Sequence, residues 1–253
     1  MRLAVAGKGG AGKTTISALL ARLSAAAGWP TIAVDADPNP SLAAALGVAA
    51  DQAAALLPVP STTISRRLDG TRLLEPVDDI LARYSVAGPD GIRVMMMGAP
   101  QHAAEGCMCG AHVVVSTLLG ELGRDDERLV VVDMEASPEH LGRGTIRHVD
   151  TALLVAEPYY RSLETVKRMA ALVAELSIPS VAVVANKIRS SDDDAAITEW
   201  CERYGFELAA RVPYRDAVVD ADRAKVPVAD WPPARDVVEA VSSLRAAVTA
   251  MHQ

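Results

Sequence analysis

The chain has 253 residues, of which 50% are hydrophobic and 23% charged, with a net charge of -7 at neutral pH. No apolar run approaches the roughly 20 residues that a membrane-spanning helix requires, and the acidic balance disfavours a nucleic-acid-binding surface. The three cysteines are too few for a disulfide framework, and the glycine-rich loop at residues 7–10 leaves no room for a signal peptide's apolar core. We therefore expect a cytoplasmic protein with reduced thiols and neither a membrane nor a nucleic-acid partner.

Short apolar runs alternate along the chain with helical stretches rich in alanine and leucine. The runs that predict strands are Leu3–Ala6, Thr31–Val34, Ile92–Met97, Leu129–Val132, Ala152–Ala156, Val181–Ala185 and Phe206–Val212. Nearly continuous hydrophobicity is typical of strands buried on both faces of a parallel sheet. Helices are predicted over Ala18–Ala27, His112–Leu122, Ser162–Leu176, Asp194–Tyr204 and Arg235–Met251.

The alternation of strands and helices predicts one α/β domain over residues 1–253. Its centre is a doubly wound, mostly parallel sheet of about seven strands flanked by helices. Residues 51–91 contain several prolines and polar residues and little periodicity. We expect them to form an irregular insertion or a mobile region.

The segment GKGGAGKTT, residues 7–15, follows the first predicted strand and opens the first helix. It satisfies the P-loop pattern G-x-x-x-x-G-K-[ST] in the strand–loop–helix context that the pattern requires. Backbone N–H groups of such a loop, together with the helix N-terminus, cradle phosphate groups. Lys13 is expected to reach the β- and γ-phosphates, and Thr14 to ligate Mg²⁺. The other loop residues expected to contact the nucleotide are Gly9, Gly10, Ala11, Gly12 and Thr15.

A second lysine, Lys8, stands at the start of the loop. It is either a solvated surface lysine without a role in binding or a functional part of the loop. With it, the loop resembles the deviant Walker A loop of the dimerising P-loop ATPases. That group includes the division-site regulator MinD, the plasmid-partition ATPases and the nitrogenase iron protein. The resemblance implies an ATP-linked homodimer in which Lys8 reaches the partner subunit's nucleotide and belongs, with Lys13, to the catalytic set.

Three aspartates close predicted strands: Asp35 and Asp37 in VDADPNP, and Asp133 in VVVDMEAS. One aspartate at a strand end is common in turns, but three at one sheet edge suit Mg²⁺-dependent phosphoryl transfer. By resemblance to the same ATPases, Asp37 orients the attacking water and Asp35 supports the Mg²⁺ shell. Asp133 takes the place of the Walker B carboxylate.

Two later strand ends are predicted to form a base pocket. Asn186 lies in VVANK, where the resemblance implies that an asparagine reads adenine. Pro213 lies in VPY and would supply the other wall of the pocket.

The segment EGCMCGAH holds two of the three cysteines, Cys107 and Cys109, in a predicted strand-to-helix loop. A helix N-terminus lowers the pKa of a nearby thiol and favours thiolate. A two-fold dimer would bring four such thiolates together, which suits tetrahedral Zn²⁺ or square-planar Ni²⁺. Inert buried thiols and a strained redox pair are the alternatives.

His102 and His112 flank the pair as further candidate ligands, and Cys201 is predicted to lie in the core.

The cysteine loop, VVVDMEASPEHLGRGT (130–145) and VAEPYYRSLETVKR (155–168) together resemble the carbon monoxide dehydrogenase accessory ATPases. These are nickel-insertion proteins for the Ni–Fe enzyme, and the resemblance covers nearly the whole chain. It implies an ATP-dependent homodimer in which Cys107 and Cys109 of both chains hold Ni²⁺ or Zn²⁺. Hydrolysis of ATP to ADP and phosphate would be coupled to metal delivery to a client enzyme of the carbon monoxide dehydrogenase type.

Two other functions stay open. A redox or electron-transfer ATPase would bridge an iron–sulfur cluster between subunits with the same thiols, although Met134–Gly144 lacks the separate cysteine of the nitrogenase iron protein. A spatial regulator similar to MinD or the partition ATPases would carry a basic amphipathic C-terminal helix to bind a membrane. The last predicted helix has few basic residues, and its apolar stripe predicts packing on the sheet.

Overall fold

We describe a computed structural model of the chain, which covers residues 1–67, 70–97, 109–122, 127–136 and 144–252. The strands in these ranges are β1 (Arg2–Gly7), β2 (Thr31–Ala36), β3 (Ile64–Arg67), β4 (Gly70–Leu73), β5 (Val86–Ala87), β6 (Arg93–Met96), β7 (Leu129–Met134), β8 (Thr151–Ala156), β9 (Ser180–Ile188) and β10 (Glu207–Pro213). Eight of them form one sheet in the order β10-β9-β8-β1-β7-β2-β6-β5. β3 and β4 form a separate hairpin.

β1 lies in the middle of the sheet, where Leu3 pairs with Val131 on one side and Thr151 on the other. Every pairing in this sheet is parallel except that of β5 with β6. The predicted doubly wound, mostly parallel sheet is therefore confirmed, and all seven predicted runs form strands. β5 is an additional edge strand of two residues, too short to leave a periodic signal in the sequence.

The helices in the described ranges are α1 (Lys13–Ala26), α2 (Leu42–Leu46), α3 (Ala50–Ala54), α4 (Val77–Tyr84), α5 (Cys109–Glu121), α6 (Tyr160–Glu175), α7 (Ser191–Tyr204), α8 (Asp216–Arg223) and α9 (Arg235–Ala250). The five predicted helices all form. α7 begins at Ser191, directly after Ser190, whose hydroxyl caps the helix by accepting the Asp193 N–H at 3.2 Å. Within the described part of the chain, no helix is long and apolar enough to cross a bilayer.

The sheet separates two hydrophobic layers, because alternate residues of each strand point to opposite faces. Ala4 joins the layer that contains Val166 of α6, and α5 and α7 pack on the same face. The neighbouring Val5 joins the layer that contains Leu19 of α1 and Val241 of α9. The apolar stripe of the last helix therefore packs on the sheet, as predicted.

Residues 51–91 contain more regular structure than the sequence predicts: α3, α4, the β3–β4 hairpin and β5. The hairpin pairs Ile64 with Leu73 and packs against α5, where the Thr71 and Thr117 hydroxyl oxygens lie 3.0 Å apart in a hydrogen bond. These elements are short and gain their order from contacts with distant parts of the chain. Local periodicity therefore does not reveal them.

Candidate functional site

The glycine-rich loop joins the carboxyl end of β1 to α1 and turns sharply at Gly12. This residue precedes the helix with φ of 94°, a left-handed conformation that favours glycine, and a Cβ atom there would collide with Nδ2 of Asn186. The Ala11 N–H closes the turn on the Lys8 carbonyl at 3.1 Å. No side chain caps α1, so its first N–H groups and its dipole suit a phosphate. Of the other predicted loop residues, Gly9 and Gly10 lie at the exposed tip and Thr15 is half-buried in α1.

Lys13, the first residue of α1, is only 7% exposed. Its ammonium group donates to the Lys8 carbonyl at 3.4 Å. Burial lowers the pKa of Lys13, and the negative charges of Asp133, Asp37 and Glu135 oppose that shift. These carboxylates favour the charged ammonium, which the predicted contact with the β- and γ-phosphates requires.

The carboxylate of Asp133, at the end of β7, holds the first turn of α1. It accepts hydrogen bonds from the Thr14 hydroxyl at 2.6 Å and the Ser17 hydroxyl at 3.1 Å. Burial raises the pKa of Asp133 to about 7 against the effect of the Thr14 bond, and the charge of Asp35 adds to the rise. One carboxylate and one hydroxyl are hard oxygen donors of the kind that Mg²⁺ takes. Thr14 and Asp133 therefore fit the magnesium site that the sequence predicts.

Asp35 lies directly beside Asp133, because the two are paired across β2 and β7. Its buried carboxylate accepts three backbone N–H groups, that of Asp37 at 3.1 Å and those of Ser41 and Leu42 at 2.8 Å each. Burial raises the pKa of Asp35 to about 6, although these bonds oppose the shift. The three predicted acids therefore meet at one sheet edge. Asp35 also shapes the loop that carries Asp37, a role that the sequence does not predict.

Two consecutive residues at the end of β9 hold two consecutive carbonyls of the phosphate loop. The Asn186 amide donates to the Ala11 carbonyl at 2.6 Å, and the Lys187 ammonium donates to the Gly10 carbonyl. Across a trans peptide the C=O and the following N–H point in opposite directions. Holding the Ala11 carbonyl at β9 therefore turns the Gly12 N–H away from β9. The adenine-reading role of Asn186 stays a prediction, and the loop contact is an additional one.

Pro213 lies at the end of β10, next to the strand that carries Asn186. It is half-buried and pairs with Ile188 of β9. The neighbouring Tyr214 ring lies under the Arg189 guanidinium, 3.5 Å from the ring centroid. Pro213 and Asn186 thus share one sheet edge, and the base-pocket role of Pro213 stays a prediction.

Lys8 contacts residues that the sequence analysis does not single out. Its ammonium donates to the Tyr159 hydroxyl at 3.1 Å, and that hydroxyl donates to Glu157 at 3.2 Å. The other Glu157 oxygen lies 3.2 Å from the Lys187 ammonium. Glu157 and Tyr159 follow the end of β8. A position just after a strand is the feature that identified the three aspartates, and it also marks these two residues in the sequence. Ser17 lies one helical turn after Thr14, the predicted Mg²⁺ ligand. This spacing places both hydroxyls on the same face of α1 and could have identified Ser17 from the sequence.

The cysteine loop leaves the sheet after β6 and ends at α5. At its start the Met97 N–H donates to the Asp35 carbonyl at 2.7 Å, next to the strand end that carries the acids. Cys109 is the first residue of α5, so it lies at a helix N-terminus, as predicted. Cys107 and His102 lie outside the described residues.

The candidate ligand His112 and the third cysteine, Cys201, are both buried. His112 is 3% exposed, and its Nδ1 lies 3.0 Å from the Thr145 hydroxyl, which favours a structural role. Cys201 lies in the core as predicted, and burial raises the pKa of its thiol to about 11. Over the ranges that the structure describes, no group of three or more His, Cys, Asp and Glu side chains is arranged to hold a metal ion.

Comparison with known proteins gives matches over most of the chain. The family model of the CobQ/CobB/MinD/ParA nucleotide binding domain matches residues 3–228. The carbon monoxide dehydrogenase accessory protein CooC of Rhodospirillum rubrum is 39% identical over 251 residues, which cover 95% of this chain and 94% of that protein. A more distant relative is the light-independent protochlorophyllide reductase iron-sulfur ATP-binding protein of Chloroflexus aggregans. It is 27% identical, with 85% of this chain and 78% of that protein covered.

The fold is similar to that of the cell division ATPase MinD of Pyrococcus furiosus, with a TM-score of 0.72. The two are 20% identical, and the match covers 99% of this chain and 98% of that chain. At this identity the likeness shows the fold alone.

The buried charge of Asp133 predicts a pH-dependent stability of the nucleotide-free protein. The pKa rises from 3.8 to about 7 on folding, so the folded state binds more protons between these values and loses stability as pH rises through them. We expect Asp133→Asn to be more stable than the wild type at pH 8. The full shift corresponds to about 4 kcal/mol, of which weaker hydrogen bonds to the amide remove a part.

Thermal unfolding of both proteins between pH 4.5 and 8 would measure this difference. The advantage of the variant should shrink steadily below pH 7, as Asp133 becomes neutral in the wild type. An equal difference at every pH would contradict an ionised Asp133 in the folded protein.

The contact between Asn186 and the Ala11 carbonyl predicts a loss of nucleotide affinity in Asn186→Ala. Without this donor the Ala11 carbonyl is free to turn in the empty loop, and the bound nucleotide has to restore the loop shape. We expect this to cost about 1–2 kcal/mol of binding, a factor of roughly 5 to 30 in affinity. Calorimetric titration with both ATP and GTP separates the two possible roles of Asn186. Equal losses indicate that it holds the loop, and a loss for ATP alone indicates that it reads adenine.

Proposed function

The chain belongs to the CobQ/CobB/MinD/ParA nucleotide-binding family and is a P-loop ATPase that uses ATP and Mg²⁺; from that premise we propose that it is a metallochaperone. It binds Ni²⁺ or Zn²⁺ between two subunits and assists maturation of a Ni–Fe client enzyme of the carbon monoxide dehydrogenase type. The observation that carries this proposal is the likeness, over nearly the whole chain, to an accessory protein of carbon monoxide dehydrogenase.

The nucleotide part of the proposal assigns roles to the residues at the sheet edge. Lys13 holds the β- and γ-phosphates, and Thr14 with Asp133 provides oxygen ligands for Mg²⁺. Asp37 orients the attacking water from a loop whose backbone is fixed by Asp35. Phosphoryl transfer depends on such positioning and on neutralisation of the developing charge.

The metal part of the proposal rests on the position of Cys109 at the start of α5. A helix N-terminus favours thiolate, the form that binds metal. One chain supplies two thiolates, from Cys107 and Cys109, and a two-fold dimer supplies four. The hydrogen bond from Met97 to the Asp35 carbonyl supports a link between this loop and the nucleotide site, because it ties the loop to the strand that carries the acids.

An iron–sulfur redox ATPase is the second candidate. The likeness to the iron-sulfur ATP-binding protein of protochlorophyllide reductase favours it, and the same four thiolates would bridge such a cluster. Iron analysis and the visible spectrum of anaerobically purified protein would decide between the two. The likeness to MinD extends to the fold only and does not favour a spatial regulator.

Removal of the paired cysteines should abolish metal binding. We expect anaerobic equilibrium dialysis to find one Ni²⁺ per two wild-type chains, and none of this bridged metal in the Cys107→Ser/Cys109→Ser double variant. The measurement is repeated with Zn²⁺, since both metals accept thiolate ligands.

Cys201→Ser is the matched control, because this third thiol is buried in the core and should leave the stoichiometry unchanged. Binding that survives in the double variant would contradict the proposed site. Delivery is tested separately by adding nickel-loaded protein to nickel-free carbon monoxide dehydrogenase and assaying CO oxidation.

The proposed dimer predicts a specific defect in Lys8→Ala. The variant should bind MgATP with nearly unchanged affinity but fail to form the ATP-dependent dimer, because a cross-subunit phosphate contact is lost. Analytical ultracentrifugation with a non-hydrolysable ATP analogue measures both species. Lys167→Ala, which removes an exposed lysine on α6, is the control. A dimer of wild-type affinity in Lys8→Ala would exclude the cross-subunit role.

A further inference from the structure

Lys8 is held by its own subunit. Its ammonium lies 3.1 Å from the Tyr159 hydroxyl oxygen and 5.2 Å from the centroid of the same ring. The first distance is that of a hydrogen bond. The second follows from the first, because an ammonium bonded to the phenol oxygen lies beyond the edge of the ring and not over its face. The Tyr159 hydroxyl is therefore the group that holds the lysine that marks this class of phosphate loop.

The direction of the hydrogen bonds follows from the groups involved. An ammonium only donates and a carboxylate only accepts, so the Tyr159 hydroxyl accepts from Lys8 and donates to Glu157 at 3.2 Å. The second oxygen of Glu157 pairs with Lys187 at 3.2 Å. Two lysines therefore share one carboxylate, and Lys8 reaches it through the phenol. This arrangement polarises the hydroxyl and makes it a better acceptor for Lys8.

The start of α6 fixes the position of Tyr159. Tyr159 immediately precedes α6, and its carbonyl accepts the N–H groups of Ser162 and Leu163 at 3.0 and 3.2 Å. The Ser162 hydroxyl, fully buried, accepts the Glu157 N–H at 2.9 Å. The backbone of Glu157 and Tyr159 is thus anchored to α6, whereas the Lys8 side chain is long and flexible. The Lys8 side chain therefore has more freedom to leave this contact than the segment that carries Tyr159.

We propose that Tyr159 is a positioning residue that keeps Lys8 on its own subunit in the nucleotide-free protein and so opposes formation of the ATP-dependent dimer with a second copy of this chain. The inference rests on the proposed function, in which Lys8 reaches the partner's nucleotide. A phenol is a neutral acceptor, and a phosphate oxygen is a charged and stronger one. The phosphates of the partner's ATP would therefore displace Tyr159 from Lys8, and without them Lys8 stays where it is.

The first test is Tyr159→Phe, which keeps the ring and removes the hydroxyl acceptor. In the presence of a non-hydrolysable ATP analogue, the dimer dissociation constant should fall about 3- to 10-fold, the effect of one hydrogen bond that no longer competes. Tyr160→Phe is the matched control, because it removes the hydroxyl of the adjacent, 76% exposed tyrosine. An unchanged or weaker dimer in Tyr159→Phe would overturn the proposal.

A double-mutant cycle shows whether Tyr159 acts through Lys8. Any weak dimerisation that remains in Lys8→Ala should be the same with and without the Tyr159→Phe substitution. An equal gain in both backgrounds would mean that Tyr159 acts as a general interface contact, which would also overturn the proposal.

A third measurement does not depend on dimerisation. Nucleotide-free protein is acetylated with an N-hydroxysuccinimide ester, and modification of Lys8 is followed by mass spectrometry relative to the exposed Lys225. The rate at Lys8 should rise roughly two- to five-fold in Tyr159→Phe, because a hydrogen-bonded amine reacts more slowly. An unchanged acetylation rate would show that the Tyr159 hydroxyl does not hold the Lys8 ammonium, and would refute the proposal.

The acetylation rate does not require a dimer. If the wild type never dimerises, that result counts against the proposed dimer, and the acetylation rate still tests the contact between Lys8 and Tyr159.

Discussion

Asp133 ends the strand beside β1, and its buried carboxylate holds the hydroxyls of Thr14 and Ser17 against the edge of the sheet. This contact fixes the first turn of α1 relative to the strands, and the phosphate loop is closed at that turn. From the other side, Asn186 and Lys187 hold the carbonyls of the loop. The loop is therefore anchored at both ends by contacts within the chain.

The same arrangement concentrates charge in a place with little water. Burial raises the pKa values of Asp35 and Asp133 and lowers that of Lys13, so the charged forms of all three are disfavoured in the nucleotide-free protein. A bound magnesium ion would place positive charge beside the two aspartates, and a polyphosphate would place negative charge beside Lys13. The site is thus less stable when empty than an apolar core of the same size, a common trade-off between stability and function.

The parallel sheet also explains why the start of the cysteine loop, at Met97, lies beside the strand end that carries Asp35. Parallel strands direct their carboxyl ends to one edge, and ligands bind there in open α/β sheets. β6 and β2 are neighbours, so the loop that leads to Cys109 begins beside the loop that carries Asp37. Lys8 and Tyr159 occupy the same edge at the ends of β1 and β8. The proposed contacts with the metal, the nucleotide and the second subunit can therefore all be made from one domain.

Features that depend on a local pattern can be predicted from the amino-acid sequence. Continuous apolar runs identified the seven buried strands, and the glycine-rich segment between strand and helix identified the phosphate loop. Only the folded structure reveals the contacts between distant segments, Asn186 with Ala11 and Tyr159 with Lys8, and the local contact of Asp35 with the backbone of the following loop. It also decided the β3–β4 hairpin and β5. Strand order and register bring these residues together over more than a hundred positions in some cases, and no local periodicity encodes that pairing.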